Sequence, residues 1–298
     1  MGWYLRQHPP AGSDGRGGRL DAECQGLHGH RRSDGQGGQG RRRSPLPRVA
    51  AGGEERVRFA GVSDIGRVRE TNEDSYCMEA LPPSGRRWLL AVADGLGGCS
   101  AGEVASRIAI QALREGLRRR RSPGTQWDQR LRSAIEAAHA AVLQAAADPD
   151  LVGMGTTLTA VVVQDRRVFW GHVGDSRAYV LHDGGLRLLT RDHSLVGQLA
   201  ADGWIGEEDA RRHPARNVLT QALGMHGGGL SVETGVSDLV PGDWLILTTD
   251  GLTTMVPTRE IEDSVRAAGP PLSLCEDLVS IANARGGPDN ITVIAAQA

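Results

Sequence analysis

The sequence predicts an α+β fold built on antiparallel sheets, and three observations lead there. Short apolar runs recur along the chain, several are joined by tight-turn residues, and two long amphipathic helices stand together between the second and third runs. The runs at 57–62, 88–93, 158–164, 168–173, 178–181, 244–248 and 291–295 read as strands. Asp183, Gly184 and Gly185, between Leu181 and Leu186, read as a hairpin turn, because glycine takes positive φ at little cost. Gln164, Asp165, Arg166 and Arg167 form a similar connection. Val104, Ile108, Ala112 and Leu117 belong to one apolar stripe at spacings of three and four; Trp127, Leu131, Ala134, Ile135, Ala138 and Val142 form another. Thr125 and Asp128 are spaced like a capping box before the second helix, and Ser122, Pro123 and Gly124 break the pair into an antiparallel couple. Weaker helical stretches follow at 195–202, 207–212 and 272–283. These elements form one domain, 56–298, with no internal repeat.

Residues 1–55 differ in kind. They are rich in Gly, Arg, Ser and Pro and carry neither a two-residue nor a 3.6-residue apolar period, so a disordered Gly/Arg-rich tail is expected. The 298-residue chain has 34 basic and 36 acidic side chains, a net charge of −2 that argues against a nucleic-acid-coating protein. All the basic residues are arginine; lysine is absent. No apolar stretch is long enough to span a membrane, and the first residues lack the apolar core of a secretory signal, so a cytoplasmic protein is expected. Cys24, Cys77, Cys99 and Cys275 show no paired spacing of the kind that binds zinc, and they suit a reducing compartment.

The informative residues are aspartates placed beside glycine at strand ends. Asp94 follows the apolar run Ala91, Val92, Ala93 and precedes Gly95; Asp250 follows Thr248 and Thr249 and precedes Gly251. Asp289 stands just before the last run, Asp175 follows Gly174, and Glu73 and Asp74 form an acidic pair near the first run. One such Asp-Gly pair is an ordinary turn. Several converging on one cleft would repel each other unless a cation offset their charge. Oxygen donors without a Cys/His cluster select hard ions, Mg²⁺ or Mn²⁺, which points to metal-assisted hydrolysis of phosphate esters.

These residues, in this order, resemble the metal-dependent Ser/Thr protein phosphatases (the PPM, or type-2C, family) in their compact bacterial form. The matching segments are DIGRVRETNEDSY (64–76), VADGLGG (92–98) with GEVAS (102–106), GMGTTLTA (153–160), GHVGDSRAYV (171–180), DHSLVGQL (192–199) with HPARNVLTQALG (213–224), TTDGLT (248–253) and GGPDNIT (286–292). The resemblance implies a β-sandwich of two antiparallel sheets flanked by helix pairs, with two Mn²⁺ or Mg²⁺ ions at one end and a weaker third. It implies that Asp94 bridges two metals, that the Gly95 carbonyl binds one of them and that Asp250 and Asp289 complete the other site. Glu73 and Asp74 match positions that hold metal-bound waters, Asp175 with Asp250 matches the third site, and Arg69 matches the arginine that grips the substrate phosphate. Residues 192–223 correspond to a variable flap beside the cleft that influences substrate choice.

The implied reaction is hydrolysis of phosphoserine and phosphothreonine by water held between the cations. The implied partners are phosphorylated proteins and a cognate Ser/Thr kinase, with a monomeric phosphatase and neither nucleic acid nor membrane as partner. An alternative reading is a catalytically weak module of the same fold that binds phosphoproteins. Three positions depart from common family patterns: Leu96 and Cys99 stand where histidine is frequent, and Thr254 where some members carry aspartate. A cysteine nucleophile is disfavoured because Cys77 and Cys99 have no evident histidine partner. His172, His193, His213 and His226 are expected to serve structure, and the glycines of 153–157 to form a tight lead-in to a core strand.

Overall fold

Alternation along the strands sorts the apolar side chains into three layers. On β3 (Arg87–Ala93), Leu90 and Val92 face one way while Leu89, Ala91 and Ala93 face the other. On β12 (Ile291–Gln297), Ile294 and Ala296 share the layer of Leu90 and Val92, and Ile291, Val293 and Ala295 point outward. Two sheets packed face to face follow from this pattern, each with helices on its outer surface. The computed structural model describes residues 57–82, 87–97, 101–119, 126–227 and 229–298, all within one compact unit, 41–298. The 1–55 tail, Cys24, Cys99, Thr125 and the break at 122–124 lie outside the described residues.

The first sheet runs β1 (Arg58–Asp64), β12, β11 (Trp244–Thr248), β8 (Arg177–His182) and β9 (Gly185–Leu188). The second runs β10 (Glu233–Asp238), β7 (Arg167–Val173), β6 (Leu158–Gln164), β3 and β2 (Ser75–Ala80). Every pairing is antiparallel. A short ribbon pairs β4 (Gly95–Leu96) with β5 (Gly155–Thr156). The helices α1 (Ala101–Arg118) and α2 (Trp127–Ala145) cover the second sheet, burying Leu113, Leu117, Leu131 and Ile135 against Leu89, Ala91, Ala160 and Val162. The first sheet is covered by α5 (Asp250–Thr253), α6 (Thr258–Arg266) and α7 (Pro271–Ala284). Between β9 and β10 lie α3 (Leu195–Ala201) and α4 (Glu207–Arg212). No helix among the described residues is long and apolar enough to cross a membrane.

The expected strands and helices are present, with differences at their edges. The 183–185 turn is a two-residue hairpin in which His182 pairs with Gly185, and Asp183 (φ 48°) and Gly184 (φ 76°) carry the positive dihedrals. Gln164 pairs directly with Arg167, so that connection is also a two-residue turn. The cap of α2 is Gln126, whose side chain makes no capping bond. Two edge strands, the short β4–β5 ribbon and the helices α5 and α6 carried no readable signal. β10 has Val236 as its single large apolar residue, β2 has no fully buried residue, α5 is a single turn of four residues, and α6 buries only Ile261 and Val265. Polar edge strands are held by their neighbour's ladder rather than by their own burial.

Candidate active site

Because the strands alternate in direction, one end of the sandwich collects the C-termini of β1, β3, β7 and β11 and the N-termini of β2, β6, β8 and β12. The acidic residues singled out in the sequence sit at that end. Asp94 closes β3, Asp250 follows β11, Asp289 precedes β12, Asp74 precedes β2, and Asp175 lies in the β7–β8 turn. They form one electrostatic cluster: Asp94 feels Asp74, Asp250, Asp175 and Asp289. Asp94 and Asp250 are within hydrogen-bonding reach of each other.

Burial first, and then this mutual repulsion, pushes the carboxyls away from their ionised forms. Asp94 and Asp175 lie well above the usual carboxylate range. Asp74 is raised to about 7, Asp250 to about 6, and Glu73 is raised as well, in each case mainly by burial. Arg69 is the cation of the cluster: its Nη2 donates to Asp289 Oδ2 at 2.8 Å. Burial works against its charge, but Asp289, Glu73 and Asp94 outweigh that and hold the guanidinium pKa above its ordinary value.

Threonines and one asparagine hold these residues in place, and this supporting set was not singled out in the sequence. Thr292 Oγ1 and Thr249 Oγ1 both donate to Asp74 Oδ2, at 2.6 and 2.9 Å. Asp94 is pinned by its backbone: its N–H donates to Thr157 Oγ1 at 2.9 Å, and its carbonyl accepts from Thr156 Oγ1 at 2.8 Å and from the Thr157 N–H at 2.9 Å. The 153–157 segment is thus the lead-in to β6 and the clamp on Asp94 as well. Asn290 ties the loop after β1 to this end, accepting from Glu73 N–H at 2.8 Å and donating to the carbonyls of Ile65 and Thr71 at 2.9 Å. The available signal was positional: these side chains neighbour the aspartates at strand ends, where β-branched residues look like ordinary strand formers.

Two glycines permit the close approach. A Cβ on Gly95 would lie 2.3 Å from the Gly102 carbonyl oxygen and 2.6 Å from that of Glu73. One on Gly251 would lie 1.9 Å from the Asn290 carbonyl oxygen, so the Asp250 and Asp289 loops touch backbone to backbone.

The site suits hard divalent cations on its own evidence. Asp74 Oδ1 and Asp250 Oδ1 are buried with no hydrogen-bond partner, a costly state for oxygens that nothing coordinates. The donors are carboxylates and carbonyls, the set Mg²⁺ and Mn²⁺ prefer. The described cysteines are not activated, since burial pushes the Cys77 and Cys275 thiols up to about 12. His172, His193 and Glu233 bring ligand atoms within 4.8 Å of one another, but each is engaged elsewhere. His172 bonds Thr159 Oγ1 and the Arg191 carbonyl, His193 Nδ1 accepts from Gly174 N–H, and Glu233 accepts from Arg191 N–H. His213 Nδ1 accepts from Ala215 N–H.

With this geometry established, comparison with known proteins decides the family. The sequence model of the family described as Protein phosphatase 2C matches residues 67–287. The chain belongs to the protein phosphatase 2C family. Within that family it is 39% identical over 235 residues to the serine/threonine phosphatase Stp of Listeria monocytogenes, an alignment covering 78% of this chain and 92% of the relative. It superposes on the crystal structure of the Mycobacterium tuberculosis serine/threonine phosphatase PstP with a TM-score of 0.72 and 37% identity, covering 81% of this chain and 98% of that one. A structure of the PstP catalytic domain in complex with two manganese ions matches at a TM-score of 0.71 and 36% identity, covering 81% of this chain and 97% of that one. Against these phosphatase 2C structures the sandwich with flanking helices is the family fold.

Proposed function

We propose that this chain is a metal-dependent protein serine/threonine phosphatase whose carboxylate cluster holds two Mn²⁺ or Mg²⁺ ions. The observation that carries the reading is the cluster itself: converging buried carboxylates with two unpartnered oxygens, beside one phosphate-sized cation, Arg69. Phosphatase 2C relatives of this chain are named serine/threonine phosphatases, and one of them was crystallised with two manganese ions. The phosphoprotein-binding module without turnover is not favoured.

In this reading Asp94, the Gly95 carbonyl, Asp250 and Asp289 would hold the two ions, Glu73 and Asp74 would stand about them as further acidic groups, and Asp175 with Asp250 would offer a weaker third position. Such ions, when bound, lower the pKa of water toward neutrality and offset charge on a transferring phosphoryl group. The chain's own residues do the rest. The threonine clamp on Asp94 and the Thr249–Thr292 pair on Asp74 keep the donors fixed before substrate arrives, so little reorganisation remains for the reaction. Arg69 is about half exposed and bonded to one carboxylate oxygen, which leaves donors of its planar fork for two phosphate oxygens.

The catalytic domain in this proposal is 56–298, and residues 1–55 are a tail outside it. The substrates are phosphorylated proteins. A cytoplasmic monomer that opposes a cognate Ser/Thr kinase completes the reading. Phosphate release from a phosphothreonine peptide with and without Mn²⁺ tests it. Metal-dependent release is expected; no release with Mn²⁺ bound would sink the enzyme reading.

A further inference from the structure

A chain of buried hydrogen bonds runs from Asp94 to a histidine outside the carboxylate cluster. The Asp94 N–H donates to Thr157 Oγ1 at 2.9 Å, and that hydroxyl meets Ser176 Oγ at 2.7 Å. The Ser176 carbonyl accepts from Thr159 Oγ1 at 3.0 Å, and Thr159 Oγ1 lies 2.8 Å from His172 Nδ1. The far side of the ring, Nε2, reaches the Arg191 carbonyl at 3.1 Å. Thr157, Thr159, His172 and Ser176 are all wholly buried. Thr159 and His172 are cross-strand partners on β6 and β7, on the face where Val161, Val163 and Trp170 build the apolar layer between the sheets. Polar groups in such a layer cost free energy unless they are bonded, so each link holds the next.

The hydrogens in this chain are too few for every contact. Burial lowers the His172 pKa to about 4, so the ring is neutral at ordinary pH and carries one N–H. With that hydrogen on Nε2, the ring donates to the Arg191 carbonyl and the Thr159 hydroxyl donates to Nδ1. With it on Nδ1, the ring donates to Thr159, whose hydroxyl is freed for the Ser176 carbonyl. His172 therefore decides which way the Thr159 hydroxyl points. The β7–β8 turn has ties of its own: the Gly174 N–H donates to His193 Nδ1 at 3.3 Å, and the His193 N–H donates to the Gly174 carbonyl at 2.7 Å. Changing the ring at 172 alters the chain of hydroxyls without releasing the turn.

We propose that His172 is a positioning residue that acts through Thr159, Ser176 and Thr157 on the Asp94 backbone, and so on the donor geometry of the carboxylate cluster. The inference rests on reading that cluster as the Mn²⁺ centre. Groups one step behind a metal's ligands orient those ligands, and their loss weakens metal binding about 10- to 100-fold.

The test separates the two ring nitrogens. In His172→Asn the amide stands near the Nδ1 position and keeps a partner for Thr159. In His172→Gln it reaches toward the Nε2 position, keeps the Arg191 carbonyl and leaves Thr159 bare. Mn²⁺ affinity of the full chain is read by calorimetric titration, with urea midpoints in EDTA as the measure of fold. His172→Asn is expected to stay within about threefold of the wild type and His172→Gln to weaken about tenfold or more, at similar midpoints. A packing defect alone would make affinity follow the midpoints. Thr159→Val breaks the chain one link closer to Asp94, and it carries the test if a variant at 172 does not fold. Thr159→Val combined with His172→Gln is expected to lose no more than either alone, as members of one network do. Equal affinities in the Asn and Gln variants, an unchanged affinity in Thr159→Val, or losses that add in the double variant overturn the proposal. A wild type that takes up no Mn²⁺ is a separate failure, because it removes the cluster as the metal centre.

Discussion

Thr292 Oγ1 donates a 2.6 Å hydrogen bond to Asp74 Oδ2, joining the start of β12 to the residue just before β2 in the opposite sheet. Both residues are buried, and Thr249 donates to the same oxygen from the end of β11. The bond therefore orients a carboxylate whose other oxygen is left bare for a ligand. Thr292→Val keeps the shape and removes the donor. Stability should fall by about 1–3 kcal/mol, the scale of losing one hydrogen bond to a buried carboxylate that keeps its second donor, Thr249. A urea titration checks that loss, and Mn²⁺ affinity should weaken with it.

Arg69 behaves differently because its pair with Asp289 is half exposed. Arg69→Ala should leave stability within about 0.5 kcal/mol of wild type. Its kcat/KM on a phosphothreonine peptide should fall about 100-fold, the scale of losing one preorganised charge partner of the transition state. Arg69→Lys should recover only part of this, since a point charge cannot grip two oxygens in one plane. Steady-state kinetics on the three proteins separates these outcomes.

Gly95→Ala puts a methyl 2.3 Å from one backbone oxygen and 2.6 Å from another, and neither is a side chain that can swing away. Destabilisation of at least about 2 kcal/mol is expected, as for overpacking elsewhere in protein cores. Thermal unfolding of the metal-free variant reads it.

The pH dependence of the metal-free protein has a definite sign. Folding raises Asp74 to about 7 and Asp250 to about 6, so the folded state binds more protons than the unfolded one above the ordinary carboxylate pKa of about 4. Stability from these groups is complete below about pH 4 and is lost as pH rises through about 7. His172, which burial lowers to about 4, acts in the opposite sense, losing stability as pH falls below about 6.5. The difference between urea midpoints in EDTA and in saturating Mn²⁺ removes the histidine, which is not in the carboxylate cluster. That difference should grow steadily from acid to neutral pH, and a flat difference would count against the cluster as the metal site.

How much was legible in the sequence depended on burial. Strands such as β3 and β6, buried on both faces, announce themselves as unbroken apolar runs. The edge strand β10 does not, because its ladder with β7 supplies what its own side chains lack. Asp94, Asp250 and Asp289 stood out because each flanks a strand end beside a glycine or a turn, and the antiparallel order gathers those ends. Thr157, Thr249, Thr292 and Asn290 did not, since their role is a hydrogen bond across dozens to hundreds of residues of sequence, and local spacing carries no trace of it.

The most direct test of the two-ion centre is calorimetric titration of Mn²⁺ into the wild type and into Asp94→Asn. The wild type should take up two ions per chain, and the variant, lacking the shared carboxylate, should lose tight binding of both together with phosphothreonine hydrolysis. Unchanged uptake by Asp94→Asn, or none by the wild type, would contradict the account.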